Sequence, residues 1–202
     1  MMWIDSEEGL RALYGPASEA ALTKEVPALT PEYRALVEAS PFCVLATAGP
    51  EGLDATPRGD PPGFIRVVDA TTLLIPDRRG NNRIDSLLNI VRDPRVALLI
   101  LVPGVAETLR INGHGRITTD PALLEPAAMD GKVPLTGLVI TVTSVYFQCA
   151  KALVRSRLWD PAAQRARSEL PTPGQMLKGA GAAFDVEAYD KALPTRLAAT
   201  LY

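Results

Sequence analysis

Alternating hydrophobic and polar positions, interrupted by glycine and proline turns, occupy the middle of the chain and predict β-strands. The predicted strands lie at residues 42–48, 53–56, 64–68, 71–75, 95–102, 108–117 and 137–147. Most connections are of turn length, and no regular strand–helix–strand repeat joins them. Six or seven short strands of this kind favour a small antiparallel barrel over a sandwich or a parallel sheet.

Helical patterns flank the predicted barrel. The first forty residues contain three short helix signals, with Ser6, Ser18 and Thr30 as N-cap candidates. We interpret these helices as a lid that packs on the barrel. Further helices are predicted at 82–92, 120–124, 149–158 and 185–193. The expected organisation is a helical extension over 1–40, a barrel over 41–161 and a wrapping tail of the same domain over 162–202. The fold class is thus mainly β with flanking helices.

Composition and charge narrow the possible functions. The 202 residues are 47% hydrophobic and 22% charged, which is typical of a globular chain. The net charge of −2 provides no overall field toward nucleic acid or anionic lipid. The longest apolar run, 96–102, is far shorter than the ~20 residues that a membrane helix needs. Residues 1–8 lack the features of a signal peptide, so we expect a cytoplasmic protein with no membrane partner.

Histidine and cysteine are scarce. The single histidine, His114, excludes a metal site of several histidines within one chain and makes a Ser-His-Asp triad improbable. It lies between two glycines of a predicted strand, and we interpret it as structural. Cys43 and Cys149 cannot build a disulfide scaffold, and their apolar neighbours predict that both are buried. No metal site is therefore expected.

A basic turn follows the predicted strand 71–75. Residues 78–83 contain three arginines, one glycine and two asparagines, directly before a predicted helix. Arginine at a helix N-terminus opposes the helix dipole, whereas guanidinium and free backbone N–H groups together suit a phosphate. The residues leave two interpretations open. The turn is either an anion site or a solvated basic turn balanced by Asp77 and Asp85.

Other basic residues are also candidates for binding an anion. Arg66 and Arg110 interrupt apolar strands, so each faces solvent or points into a pocket. On the predicted helix 149–158, Lys151 and Arg155 lie four residues apart, and Trp159 follows one turn later. An anionic partner would relieve their repulsion, and the alternative is a solvated basic face. With only one aromatic residue in this patch, nucleic acid is disfavoured.

Several of these segments resemble the FMN-binding split-barrel family related to pyridoxamine 5′-phosphate oxidase. The matching segments are 64–68, 75–83, 93–99 and 107–113, and residues 149–159 are similar to an uncharacterised FMN-dependent branch of that family. The resemblance covers roughly residues 41–161. It implies a six-stranded antiparallel split barrel of Greek-key type. It also implies a homodimer with FMN in clefts at the subunit interface.

The resemblance also assigns roles to individual residues. Asn82 and Arg83 would hold the FMN phosphate, and Lys151 and Arg155 are the candidates for catalytic electrostatics. The full implied cofactor-binding set is Ile65, Arg66, Val67, Arg79, Asn81, Asn82, Arg83, Arg110, Lys151, Arg155 and Trp159. The last three would reach the partner subunit's flavin or close the substrate side.

The implied function is an FMN-dependent oxidoreductase that acts on an unidentified small molecule, with the flavin supplying the redox chemistry. True pyridoxamine phosphate oxidases carry an Arg-x-His element near the C-terminus, and this chain has no histidine there. We therefore expect a different substrate. The Asn-rich turn also leaves room for a deazaflavin. The alternatives are a non-catalytic flavin, deazaflavin or haem-binding module, and a structural dimer with an empty cleft.

Overall fold

The computed structural model describes residues 1–183 and 185–202 and contains seven β-strands. The strands are β1 (Phe42–Gly49), β2 (Gly52–Gly59), β3 (Arg66–Asp69), β4 (Thr72–Pro76), β5 (Arg95–Leu101), β6 (Thr108–Thr118) and β7 (Gly137–Gln148). Each corresponds to a predicted segment, with bounds that differ by a few residues. The count is one more than in the six-stranded barrel that the resemblance implied.

All seven strands form one antiparallel sheet in the order β2-β1-β5-β6-β7-β4-β3. Leu45 pairs with Leu98, Leu98 pairs with Ile111, and Ile111 pairs with Val145, so one buried row crosses four strands. Burial of such rows is the main stabilising contribution to the sheet. The chain moves from β2 at one edge to β3 at the other, as expected of a split barrel. The two edge strands therefore remain unpaired with each other.

The helices are α1 (Glu7–Arg11), α2 (Glu19–Thr23), α3 (Pro31–Ala39), α4 (Asp85–Arg92), α5 (Pro121–Leu124), α6 (Lys151–Ser156), α7 (Pro173–Gly179) and α8 (Val186–Thr200). Single 3₁₀ turns lie at Glu125–Ala127, Pro161–Ala163 and Arg167–Glu169. Helix α3 packs on β3, β6 and β7, and α4 packs mainly on β1. The basic turn therefore leads directly into a helix that packs on β1, β6 and β2.

Some local predictions were wrong. Helices α1 and α2 bury no residue, so only α3 of the predicted lid covers the barrel. Helix α8 continues through Pro194 to Thr200 instead of ending at residue 193. Cys149 is exposed rather than buried, because it follows the last residue of β7, where the chain leaves the sheet. Cys43 is buried inside β1, as predicted. None of the helices within the described residues has the length and hydrophobicity needed to cross a bilayer.

Candidate functional site

A cleft of about 1030 Å³ opens between the β2 edge of the sheet and the segment that follows β4. Its walls are residues 54–59 of β2, residues 76–87 of the basic turn and α4, residues 132–136, Phe64 and Tyr202. Strand β2 is one open edge of the sheet, and β4 lies five places away from it in the strand order. The strand order therefore creates the cleft, because no backbone ladder closes the gap between β2 and β4.

The basic turn has an unusual backbone conformation. Asn82 and Ile84 have φ values of 59° and 51°, in the left-handed region. Asparagine tolerates this region, whereas for a β-branched isoleucine it costs about 1–2 kcal/mol. Because Ile84 is left-handed, α4 begins at Asp85, three residues later than predicted. Ile84 provides no side-chain cap, so the first N–H groups of α4 lack such a partner at the cleft wall.

Two reciprocal ion pairs join the walls of the cleft. Arg58 Nη1 lies 2.6 Å from Asp77 Oδ1, and Arg78 Nε lies 2.6 Å from Asp60 Oδ2. Arg58 and Asp60 belong to the β2 side, whereas Asp77 and Arg78 follow β4. These ion pairs thus join the β2 side to the segment after β4, although β2 and β4 share no backbone hydrogen bonds. The Nε of Arg58 is buried and has no hydrogen-bond partner among the described residues.

The cleft concentrates positive charge. Five basic side chains line it, against three carboxylates, although the chain as a whole carries a net charge of −2. The basic residues are Arg58, Arg78, Arg79, Arg83 and Lys132. A cleft of this charge favours an anionic ligand.

Arg83 keeps its charge in this setting. Its Nε donates to Asp85 Oδ2 at 2.7 Å, and that hydrogen bond raises the pKa of the guanidinium. Its backbone N–H donates to the Asn81 side chain at 3.0 Å. The Arg83 side chain remains 73% exposed, so it can exchange Asp85 for another anion at little cost.

Four of the predicted site residues come together here. Arg79, Asn81, Asn82 and Arg83 all line the cleft. The prediction that Arg66 and Arg110 share one pocket with this turn does not match the structure of a single chain. Arg66 donates to the Leu123 carbonyl at 3.0 Å, and the Arg110 guanidinium lies 5.0 Å from the Tyr146 ring centroid. Both side chains are occupied on other parts of the barrel surface.

The other predicted site residues also lie outside the cleft walls. Ile65 is fully buried in the core, and Val67 packs against that core. Trp159 donates its indole N–H to the Val105 carbonyl at 2.8 Å. Lys151 and Arg155 are exposed on α6, and neither forms an ion pair within the described part of the chain. Any contact of α6 with the cofactor remains a prediction.

Several cleft residues were missed from the sequence. Arg58 and Lys132 carry no local motif, although Arg58 interrupts the pattern of β2 as Arg66 interrupts that of β3. Arg78 belongs to the basic turn but was not selected. Tyr202 is far away in sequence, and no periodic signal places it near the turn. Tertiary structure alone brings these four residues together.

Fold and site together define an antiparallel split barrel with a basic cleft between its β2 edge and the segment that follows β4. The chain belongs to the pyridoxamine 5′-phosphate oxidase family, whose model matches residues 29–149. The match covers all seven strands and the basic turn. The family includes oxidoreductases, which supports a function of that general kind.

Comparison with solved structures finds similarity at low sequence identity. A single-residue variant of HupZ from Group A Streptococcus is 18% identical, with a TM-score of 0.50 over 59% of this chain and 98% of that chain. A protein related to general stress protein 26 from Clostridium acetobutylicum is 16% identical, with a TM-score of 0.45 over 58% and 85% of the two chains. An F420 reductase is 19% identical, with a TM-score of 0.44 over 59% and 98%. No curated protein matches the chain by sequence.

Proposed function

We propose that this protein binds FMN with the phosphate in the basic cleft and acts as a flavin-dependent oxidoreductase on a small molecule. The observation that carries the proposal is the turn at residues 80–84 together with the uncapped start of α4. Backbone N–H groups, asparagine amides and arginines meet there at one wall. Few ligands other than a phosphate ester use all three kinds of donor.

The residues present fit such a group. The buried Arg58 Nε has no partner, and a buried donor left unpaired costs about 1–3 kcal/mol. A small movement of the Arg58 side chain toward a bound anion would satisfy it. Arg79 forms no ion pair within residues 1–183 and 185–202, so its guanidinium is available as well. Arg58 and Arg79 together offer two guanidinium groups to a dianion, and Arg58 would share its charge with Asp77.

The rim of the cleft supports a planar ligand. Ile84, Val133 and Leu135 are exposed apolar residues beside the basic walls, and Leu135 is 89% exposed. Such a rim suits the ring of a flavin or a covering subunit. We propose a homodimer that places the cofactor at its interface. Lys151 and Arg155 would then contact the ligand from the partner, since they lie outside the cleft of their own chain.

Within this proposal, bound FMN supplies hydride and electron transfer, and the protein supplies binding and electrostatics. The cleft cations stabilise the added negative charge of a reduced cofactor. His114 lies outside the cleft walls, on the exposed side of β6. Burial raises the pKa of the Cys43 thiol to about 12, so it stays protonated and is a poor nucleophile. We therefore assign no protein nucleophile.

The visible spectrum of the purified protein tests the proposal. We expect a yellow protein, or a colourless one that takes up FMN on titration. Reduction by NADH or NADPH under anaerobic conditions would support an enzyme. A bound flavin that neither nicotinamide reduces would favour the binding module instead. A colourless protein that binds no FMN would refute the proposal.

Arg83→Ala tests the phosphate site. We expect weaker FMN binding by about 1.5 kcal/mol, the lower end for a charged hydrogen bond, because the side chain is exposed. Arg95→Ala is the matched control. Arg95 also pairs with an aspartate two residues away and is likewise 73% exposed, but it lies outside the cleft. Equal affinity of the two variants, by fluorescence titration, would remove Arg83 from the site.

A further inference from the structure

Tyr202 occupies part of the basic cleft. Its phenol donates to Asp60 Oδ1 at 2.7 Å, and the Arg78 guanidinium lies 5.8 Å from the centroid of its ring. Its main-chain oxygen accepts a hydrogen bond from Lys132 Nζ at 2.7 Å. An aromatic ring thus lies beside a cation and presents a hydrogen-bond donor to a carboxylate.

Asp60 is the centre of this arrangement. Its side chain is only 2% exposed, and its two oxygens accept from Arg78 and from Tyr202. A buried carboxylate needs both partners, because an unpaired one is costly. If Tyr202 leaves, another N–H or O–H donor must take its place at Oδ1. The same hydrogen bond raises the pKa of the Tyr202 phenol, which therefore remains a donor.

The segment that carries Tyr202 is weakly held. Helix α8 buries no residue, and it packs on α7 through Asp190, which accepts from Thr172 and from the Gly174 N–H. Leu201 is 62% exposed. Few apolar contacts oppose local release of such a segment. Tyr202 can therefore leave the cleft while α7 keeps most of α8 in place.

We propose that Tyr202 is a built-in occupant of the ring subsite, and that a planar ligand with an N–H or O–H donor on its edge displaces it. The ligand ring would lie beside Arg78 and donate to Asp60, as the tyrosine does. This inference rests on the proposed function and deepens it by naming the chemistry of the recognised ring. The flavin ring belongs to this class, because N3–H is a donor at its pyrimidine edge.

Displacement makes a quantitative prediction. A site that is open for only a fraction of the time binds with an affinity reduced by that fraction. Tyr202→Ala removes the competitor, so the Kd for FMN should fall by about fivefold or more. Tyr202→Phe keeps the ring but loses the hydrogen bond to Asp60. Its Kd for FMN should lie between those of the wild type and Tyr202→Ala. Tyr14→Ala is the control, since Tyr14 is 70% exposed and does not line the cleft.

Two further probes locate the competition. Riboflavin lacks the phosphate, so Tyr202→Ala should improve its binding by the same factor as for FMN. Inorganic phosphate should bind the wild type and Tyr202→Ala equally, because the proposed phosphate site is at residues 80–84, whereas the ring lies beside Arg78. Hydrogen exchange on FMN addition should slow at residues 80–87 and accelerate at residues 196–202. Circular dichroism verifies that each variant is folded.

The outcomes separate the two proposals. If neither the wild type nor Tyr202→Ala binds FMN, the proposed function fails and this inference with it. If both proteins bind FMN, but Tyr202→Ala binds it no more tightly than the wild type does, the proposed flavin site stands and the Tyr202 inference is overturned. Slower exchange at residues 196–202 with FMN bound would also overturn it, because the segment would then close over the ligand.

Discussion

The Arg58–Asp77 pair allows a prediction in which two variants of one ion pair have opposite effects on the ligand. Arg58→Met removes a guanidinium whose Nε is buried and unpartnered in the cleft. A charged hydrogen bond contributes about 1.5–3 kcal/mol, so FMN affinity should fall by about 10- to 150-fold. Both side chains are roughly one quarter exposed, at 21% and 24%. The free energy of unfolding should therefore fall by about 1–3 kcal/mol, between the values for surface and buried pairs.

Asp77→Asn keeps the shape of the partner but removes its negative charge. The free energy of unfolding should again fall, by about 1 kcal/mol, because the amide oxygen still accepts from Arg58. FMN affinity should instead rise about three- to tenfold, since a carboxylate no longer competes with the phosphate for the guanidinium. Flavin fluorescence titration gives the two affinities, and urea unfolding gives the stabilities.

Both variants should lower the free energy of unfolding, but Arg58→Met should weaken FMN binding and Asp77→Asn should strengthen it. That combination would show that Arg58 contacts the ligand in addition to joining β2 to the segment after β4. Arg95→Met is the control, because Arg95 forms an ion pair outside the cleft. An affinity of Arg58→Met within twofold of wild type would refute the reasoning. Weaker binding by Asp77→Asn would also refute it, because the geometry of the pair would then matter more than its charge.

Three further predictions concern the glycines and cysteines of the chain. Gly113→Ala should lower the free energy of unfolding by about 2–3 kcal/mol, because the added Cβ would collide with the Thr141 carbonyl oxygen beside a strand irregularity. Gly179 has open space around it, so Gly179→Ala should change the free energy of unfolding, measured by chemical denaturation, by less than about 0.5 kcal/mol. An aromatic disulfide reagent at mildly alkaline pH should label only exposed Cys149 in the native chain and both cysteines in denaturant. Because the pKa of Cys43 is about 12 in the folded state against about 8.5 unfolded, the folded chain keeps a proton that the unfolded chain loses. Wild-type stability should therefore fall more steeply than that of Cys43→Ala as the pH rises above about 8.5, and parallel curves in urea unfolding would contradict this.

Local patterns predicted the strands well because alternation and turn residues act over a few positions. The hairpin at residues 42–59 and the long strands β6 and β7 follow directly from apolar alternation bounded by glycine. The start of α4 was misplaced because it depends on the left-handed conformation of Ile84, which no isoleucine preference indicates. The exposure of Cys149 depends on where β7 leaves the sheet, and composition does not report that position.

The class of fold and one wall of the site follow from local patterns in the sequence. Strand periodicity and the basic turn at residues 78–83 are local, so propensity and spacing were sufficient to find them. The tertiary structure decided which distant residues face that turn. Arg58, Lys132 and Tyr202 reach the cleft because the strand order and the connections between elements bring segments far apart in sequence around the same turn. Arg66 fits the apolar pattern equally well, but it lies on a different part of the barrel, and only the register and connections of the strands distinguish it from Arg58.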